Sequence, residues 1–248
     1  MLTIVGIGPG KKEGMTLEAY QALEQSDCIV GYTVYVELVR ELFPDKEYYT
    51  TPMTKEVERC QWAIAQARAG LNIAMVCSGD SGVYGMAGLI CELAGDAMAK
   101  DMPELAILPG VTAACSGAAI LGAPLTHDFA VISLSDRLTP WETIKRRLQA
   151  AVMGDFVICL YNPASKGRPD YLQKACDILL EAGMADDRVC GVARHIGREG
   201  QSREVMTLRQ LHDYPADMFT TVYIGNSMTR RYGDRMVTPR GYQKDIKI

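Results

Sequence analysis

The sequence predicts an α/β protein of two domains, each a mainly parallel sheet flanked by helices. Short apolar runs rich in β-branched residues alternate with helical segments along most of the 248 residues. Strands that are separated by helices pair in parallel. Several of these runs also end in a glycine-rich turn, beginning with Gly6-Ile7-Gly8-Pro9-Gly10. In open α/β sheets, ligands bind at the carboxyl ends of the strands, where such turns lie.

The N-terminal half alternates strand and helix. Thr16 can cap the first helix, on which Leu17, Tyr20 and Leu23 form one apolar face. The predicted strands cover residues 2–7, 28–32, 73–77 and 105–108, and the helices cover residues 16–25, 55–69 and 83–93 and a segment that starts at residue 112.

The domain boundary is predicted where residues 121–125 read Leu-Gly-Ala-Pro-Leu, because Gly and Pro interrupt the helical pattern there. The domains are then residues 1–122 and 123–248. A cleft between two α/β domains is the default ligand site, so the active site is expected in it. In the second domain the predicted strands cover residues 129–134, 156–161, 189–194, 204–207 and 219–224, and the helices cover residues 141–151 and 169–181.

Composition limits the partners and the compartment. Lys and Arg number 26 against 30 Asp and Glu, a net charge of −4, so no broad basic field predicts a nucleic-acid partner. The eight cysteines lie at least 14 residues apart, which gives no Cys-x-x-Cys pair for a metal. There is no basic region before the first strand and no stretch of about 18 apolar residues. We therefore expect a cytoplasmic protein without a membrane partner or a protein-bound metal.

The first glycine turn is a poor phosphate cradle. Pro9 lacks the backbone N–H group that such a cradle uses, and Lys11 occupies the position of the third glycine of a dinucleotide fingerprint. The turn instead predicts a backbone-lined slot for a nucleoside without phosphates. Further turns follow later strands: they read Gly-Asp-Ser-Gly-Val-Tyr-Gly at residues 79–85, Pro-Gly-Val-Thr-Ala-Ala at 109–114, Tyr-Asn-Pro at 161–163 and Tyr-Ile-Gly-Asn at 223–226.

This order of turns resembles the tetrapyrrole methylases, the class III family of S-adenosylmethionine-dependent methyltransferases with two α/β domains. The resemblance covers nearly the whole chain. Narrower segments resemble the subgroup that methylates C17 of precorrin-3B or cobalt-factor III, and these lie at residues 31–35, 58–60, 82–88, 127–136, 138–141 and 238–242. Two alternatives stay open. One is a family member that acts on another precorrin carbon, on diphthine or on ribosomal RNA, and the other is a non-catalytic tetrapyrrole or nucleoside sensor.

The resemblance also implies the residues that bind S-adenosylmethionine. These are Pro9, Ser78, Gly79, Asp80, Val83, Thr112, Ala113, Asn162, Ala193 and Arg194. Asp80 is the only acid in the motifs that could meet a positive charge, although an Asp at this position could also cap the following helix. The family further implies a homodimer.

The implied reaction is methylation of C17 with contraction of the macrocycle, which gives precorrin-4 or its cobalt form. Any cobalt would arrive with the substrate. Contraction needs proton movement, for which His127 is the candidate, with Ser135 and Asp136 in reserve; His195 and His212 are weaker. His127 could also be purely structural. Many arginines occur in the second domain and some could bind the substrate carboxylates, but the sequence does not select among them.

Overall fold

The computed structural model describes residues 1–96 and 103–242. The chain divides into two compact units, Met1–Ala113 and Ala114–Ile248. The division falls directly after Ala113, the first residue of the helix Ala113–Leu121, whereas the predicted boundary lies after this helix, at the Gly-Pro interruption. This helix belongs with the second unit because its Ala118 and Leu121 are buried in one cluster with Tyr223 and Met236. Within residues 1–96 and 103–242, no helix has both the length and the apolar character that a membrane span requires.

The first unit is built on a five-stranded parallel sheet. The strands are β1 (Leu2–Gly6), β2 (Cys28–Tyr32), β3 (Glu47–Thr51), β4 (Ile73–Cys77) and β5 (Leu105–Leu108), in the order β3-β2-β4-β1-β5. The helices are α1 (Leu17–Gln25), α2 (Thr33–Arg40), α3 (Glu56–Arg68) and α4 (Ala87–Asp96), with a short 3₁₀ turn at Lys12–Gly14. All strand pairs are parallel, as expected.

The central strands of this sheet are apolar on both faces because helices cover both faces. Ile4 of β1 and Met75 of β4 pack in one buried cluster, and Val5 and Val76 pack in another. The predicted cap of α1 is present, since the Thr16 hydroxyl accepts a hydrogen bond from the backbone N–H of Ala19 at 3.1 Å. Parallel pairing brings the carboxyl ends of β1, β4 and β5 to the same edge.

The second unit contains a mixed sheet. Its strands are β7 (Phe129–Ser133), β8 (Val157–Tyr161), β9 (Val189–Arg194), β10 (Ser202–Thr207) and β11 (Thr220–Ile224), in the order β10-β9-β11-β8-β7. Only β7 and β8 pair in parallel, and the other three pairs are antiparallel. This corrects the expectation of a mainly parallel second sheet. A short loop joins β9 to β10, and a connection of that length permits a hairpin but not a parallel crossover.

Strand direction decides which residues meet in this unit. Because β8 and β9 are both antiparallel to β11, the strands β7, β8 and β9 run the same way and their carboxyl ends share one edge. The helices are α5 (Ala113–Leu121), α6 (Trp141–Met153), α7 (Tyr171–Glu181) and α8 (Leu208–His212). A small third sheet joins β6 (Gly122–Ala123), β12 (Arg230–Tyr232) and β13 (Arg235–Val237).

Candidate functional site

The carboxyl ends of β1, β4 and β5, with the turns that follow them, form a surface that we call the glycine edge. Its backbones are in direct contact. A Cβ atom on Gly6 would lie 2.5 Å from the backbone nitrogen of Gly110, and one on Gly110 would lie 2.1 Å from the carbonyl oxygen of Gly79. Gly6 and Gly110 therefore admit no side chain, which explains why glycine occurs at these two positions.

The first two turns of the glycine edge are joined by backbone hydrogen bonds. The N–H of Gly8 donates to the Gly79 carbonyl at 3.0 Å, and the N–H of Gly79 donates to the Gly8 carbonyl at 2.8 Å. Both residues have positive φ, +59° at Gly8 and +72° at Gly79, which glycine adopts without strain. The N–H of Ile7 donates to the Cys77 carbonyl. These donors are thus used within the protein, which fits a slot that does not hold phosphate.

Asp80 connects the turn after β4 to the turn after β5. Its Oδ1 accepts from the backbone N–H groups of Gly82 at 2.8 Å and Val83 at 3.0 Å, and its Oδ2 accepts from the N–H of Gly110 at 3.0 Å. The carboxylate therefore fixes the turn after β4 to the turn after β5. It does not cap α4, which begins only at Ala87. A carboxylate that accepts several backbone N–H groups is a strong, charge-assisted positioning device.

The glycine edge exposes apolar side chains. Val83 is 37% exposed and Val111 is 41% exposed, and they lie in the turns after β4 and β5. Tyr84, with a φ of +54°, is 53% exposed beside Val83. All the predicted cofactor residues of the first unit lie on this edge: Pro9, Ser78, Gly79, Asp80, Val83, Thr112 and Ala113.

The carboxyl ends of β7, β8 and β9 form a second surface, which we call the polar edge. The Ser133 hydroxyl oxygen accepts from the side-chain amide of Asn162 at 2.9 Å and from the backbone N–H of Ser135 at 3.2 Å. Asn162 has a φ of +53°, a conformation that Asn tolerates better than most residues. The polar edge is thus held together by contacts between side chains, whereas the glycine edge is held by backbone contacts and by one carboxylate on backbone N–H groups.

Asp136 is bound by two donors on the polar edge. The Tyr171 hydroxyl donates to its Oδ2 at 2.6 Å, and Nε of Arg168 donates to its Oδ1 at 2.5 Å. The hydrogen bond from Tyr171, together with Arg168, lowers the pKa of the Asp136 carboxyl. Asp136 is therefore ionised at neutral pH and suited to orienting Arg168, whereas a general base would need a pKa nearer neutrality.

Arg194, at the end of β9, is likewise paired. Its Nη2 lies 2.6 Å from Oδ2 of Asp217, whose Oδ1 accepts from the backbone N–H of Phe219 and the hydroxyl of Thr220. Burial acts to raise the pKa of the Asp217 carboxyl, but the bonds from Thr220, Arg194 and Phe219 together lower it. Arg194 is therefore a fixed cation on this edge.

The three predicted catalytic residues do not lie together. Ser135 and Asp136 follow the carboxyl end of β7, whereas His127 precedes its amino end. At about 3.3 Å per residue, β7 alone separates the two ends by about 13 Å. The structure thus brings Ser135, Asp136, Asn162, Ala193 and Arg194 to the polar edge and leaves His127 at the opposite edge. The His127 Nε2 atom is buried, with no hydrogen-bond partner among residues 1–96 and 103–242.

His195 is a residue whose position the sequence analysis undervalued. It directly follows Arg194 on the polar edge, and its ring stacks on Phe219 with centroids 5.2 Å apart. Its φ of +47° is unusual for a residue other than glycine, and such strain concentrates at functional sites. The signal in the sequence was its place immediately after a strand end. In the part of the chain that the structure describes, no group of three or more His, Cys, Asp or Glu residues is arranged to hold a metal ion.

Comparison with known proteins defines the class. The family model of the Tetrapyrrole (Corrin/Porphyrin) Methylases matches residues 1–212, and the chain belongs to this family. It is 46% identical to the probable cobalt-factor III C(17)-methyltransferase of Salmonella typhimurium, over 98% of this chain and 99% of that protein. It is 42% identical to the precorrin-3B C(17)-methyltransferase of a Sinorhizobium species, over 97% and 96%. The crystal structure of the methyltransferase CobJ superimposes with a TM-score of 0.87 and 38% identity, covering 96% of this chain and 99% of CobJ.

Proposed function

We propose that the chain is an S-adenosylmethionine-dependent methyltransferase that methylates C17 of precorrin-3B or cobalt-factor III in cobalamin biosynthesis. The observation that carries the proposal is the glycine edge, clamped by Asp80, in a chain that is similar over its full length to C17-methyltransferases of both kinds. The sequence resemblance led to the same activity, with the turns indicating the family and the narrower segments indicating the C17 subgroup.

The glycine edge fits the chemistry of the cofactor. S-adenosylmethionine supplies a methyl group on a cationic sulfonium and carries a nucleoside without phosphates. Val83 and Val111 offer apolar surface to an adenine ring, and Thr112 offers a hydroxyl to its polar groups. Asp80 keeps the turns in place and contributes negative charge nearby. Asn162, Ala193 and Arg194 are assigned to the cofactor by the family resemblance.

The polar edge fits a substrate that carries many carboxylates. Arg168 is held by Asp136 through its Nε, so its two Nη groups are the part of the fork that Asp136 does not bind. A guanidinium oriented in this way can bind an acetate or propionate side chain of a tetrapyrrole. Methyl transfer needs mainly alignment of the reacting atoms, which can supply about 7–11 kcal/mol of rate enhancement.

Contraction of the ring to precorrin-4 or its cobalt form requires proton transfer at the substrate. We assign this step to the polar edge, with His195 as the imidazole and Ser135 as a hydroxyl that can hold a substrate oxygen. His127, at the other end of β7, is the alternative imidazole. Any cobalt belongs to the substrate.

We also propose that the enzyme is a cytoplasmic homodimer, as the family resemblance implies. Two-fold dimers are the commonest assembly of soluble proteins. Light scattering at micromolar concentration should give about twice the chain mass of 27.2 kDa. A fully active monomer would refute this part of the proposal.

The function is tested by turnover with a ¹³C-labelled methyl donor. The protein is incubated with precorrin-3B and with cobalt-factor III, each with and without oxygen, and the product is analysed by mass spectrometry and NMR. We expect one labelled methyl group at C17 and one S-adenosylhomocysteine per turnover. A methyl group on another carbon would indicate a different family member, and binding without turnover would indicate a sensor.

A further inference from the structure

The first unit contains a buried guanidinium that has no ionic partner among residues 1–96 and 103–242. Arg59 of α3 is only 4% exposed. Its Nη1 donates to the Thr51 hydroxyl at 2.6 Å, and its Nη2 lies 3.8 Å from the sulfur of Met86. Its Nε is buried and has no hydrogen-bond partner among the described residues. Among those same residues, the ion pairs do not include Arg59.

The two thiols near Arg59 do not neutralise its charge. The thiols of Cys60 and Cys77 are close enough to interact with its charge, but burial raises the pKa of Cys60 to about 12 and that of Cys77 to about 11. Both thiols are therefore uncharged at neutral pH. Burying a charge without an opposite charge is costly, so a protein that keeps one has a use for it.

The position of Arg59 indicates what this use is. Thr51 is the last residue of β3, and Met86 ends the turn that follows β4. The guanidinium therefore lies at the carboxyl edge of the first sheet, beside the turn that carries Asp80. A thioether is a weak hydrogen-bond acceptor on a flexible side chain. The Met86 sulfur can thus give way to a stronger acceptor.

We propose that Arg59 binds a carboxylate of the tetrapyrrole substrate, which replaces the Met86 sulfur and pairs with Nη2 and Nε. The proposal rests on the proposed function, because the acetate and propionate side chains of that substrate supply the anion. The methionine carboxylate of the cofactor has the same chemistry. The test separates these two sources.

The test compares Arg59→Met with Arg68→Met, which removes an exposed arginine from the same helix. We expect Arg59→Met to raise the KM for the tetrapyrrole roughly 10- to 100-fold, the value of a charged hydrogen bond. The Kd for S-adenosylhomocysteine should change by less than about twofold in the same calorimetric assay. Arg68→Met should change neither. Arg59→Lys should fall between Arg59→Met and the parent, because an ammonium keeps the charge but not the fork.

Thermal unfolding adds a readout that a structural role would not give. If Arg59 is kept for a ligand, the ligand-free Arg59→Met protein should melt at the same temperature as the parent or higher, because an unpaired buried charge is gone. A lower Tm with an unchanged KM would make Arg59 a structural tie to Thr51. An increase in the Kd for S-adenosylhomocysteine that matches the increase in KM would assign Arg59 to the cofactor. Either result overturns the proposal.

The proposed function can fail separately. The parent protein is assayed first, and lack of methyl transfer by the parent would refute the activity without involving Arg59. Tetrapyrrole binding is then followed by absorption titration, which still compares Arg59→Met with the parent. If Arg59→Met does not fold, Arg59→Lys alone decides, and an unchanged tetrapyrrole affinity in that variant overturns the proposal.

Discussion

The carboxyl edges of the two sheets are built in opposite ways. At the glycine edge, backbone meets backbone: Gly6 and Gly110 leave no room for side chains, and Asp80 holds the turns through their N–H groups. At the polar edge, side chains hold one another, as in the pairs of Asp136 with Arg168 and of Arg194 with Asp217. The first edge depends on close backbone contact fixed by one carboxylate, and the second depends on pairs of charged side chains.

This difference indicates a division of labour. A backbone surface offers the same shape whichever side chains surround it, which suits a cofactor shared by a whole family. A surface of paired charges can be changed one residue at a time, which suits substrates that differ between family members. Substitutions at the two edges test whether the glycine edge serves the cofactor and the polar edge serves the substrate.

The largest effect is expected from Gly110→Ala. The new Cβ atom would lie 2.1 Å from the Gly79 carbonyl and 2.6 Å from the Gly6 backbone, so the turns must separate. We expect a loss of about 1–3 kcal/mol in the free energy of unfolding, or more, and no measurable binding of S-adenosylhomocysteine at millimolar concentration. Gly95→Ala on α4, where nothing lies within 4 Å, should keep the binding. Normal binding by Gly110→Ala would refute the role of the glycine edge.

The next largest effect is expected from replacing a histidine. We choose asparagine for the substitution because Asn tolerates the positive φ of His195, and we use the same change at His127 for comparison. We expect His195→Asn to slow ring contraction about 10²-fold or more and to slow methyl transfer much less, whereas His127→Asn should leave both steps nearly unchanged. Product mass and absorption spectra separate methylated from contracted product. If only His127→Asn slows ring contraction, the proton transfer does not take place at the polar edge.

Asp80→Asn should weaken cofactor binding. The amide keeps one oxygen but loses the charge and presents an NH₂ group where the carboxylate accepted a backbone N–H. A charged hydrogen bond contributes about 1.5–3 kcal/mol, so the Kd for S-adenosylhomocysteine should rise roughly 10- to 100-fold. The matched control is Asp27→Asn, which alters a carboxylate that accepts the N–H of Asn72 at the other end of the sheet. Equal effects of the two variants would indicate general destabilisation.

The smallest effect is expected from Asp136→Asn. Loss of the ion pair lets Arg168 move, so the KM for the tetrapyrrole should rise a few-fold while the Kd for S-adenosylhomocysteine stays constant. Because the pKa of Asp136 is lowered, the parent carboxylate stays charged at neutral pH and loses its charge only as the pH falls through that lowered pKa. The effect of the substitution should therefore be complete at neutral pH. Asp170→Asn, which breaks the exposed pair with Lys174, is the control and should leave KM unchanged.

The sequence was sufficient for the elements that pattern specifies. The buried strands β1, β4 and β9 stand out as apolar runs, and glycine turns mark the ends of β1 and β4. The sequence was insufficient to predict β3, because Glu-Tyr-Tyr-Thr-Thr lacks an apolar alternation. It was also insufficient to predict α2, because this helix starts directly after β2 without a break. The short loop between β9 and β10 does imply the antiparallel direction of β10, whereas that of β11 is set by tertiary pairing and leaves no local pattern.

The same limit applies to the site. Glycines and the acid of the turns were recognised because their types are rare in strands, but the partners of Asp80 are backbone N–H groups that any residue possesses. Arg59 resembles an ordinary helix-surface charge, since its burial depends on β3 and on the turn at Met86. The predicted strands already placed His127 before a strand and His195 directly after one, but the directions of the neighbouring strands, which decide what lies beside each histidine, are set by tertiary pairing.

The most direct test of this account is a crystal structure of the chain with S-adenosylhomocysteine bound. We predict one ligand per chain, with the nucleoside against the turns that carry Pro9, Val83 and Thr112 and with the hydrogen bonds of Asp80 to Gly82 and Gly110 intact. A nucleoside held only by side chains of the polar edge, with the glycine edge empty, would contradict the account.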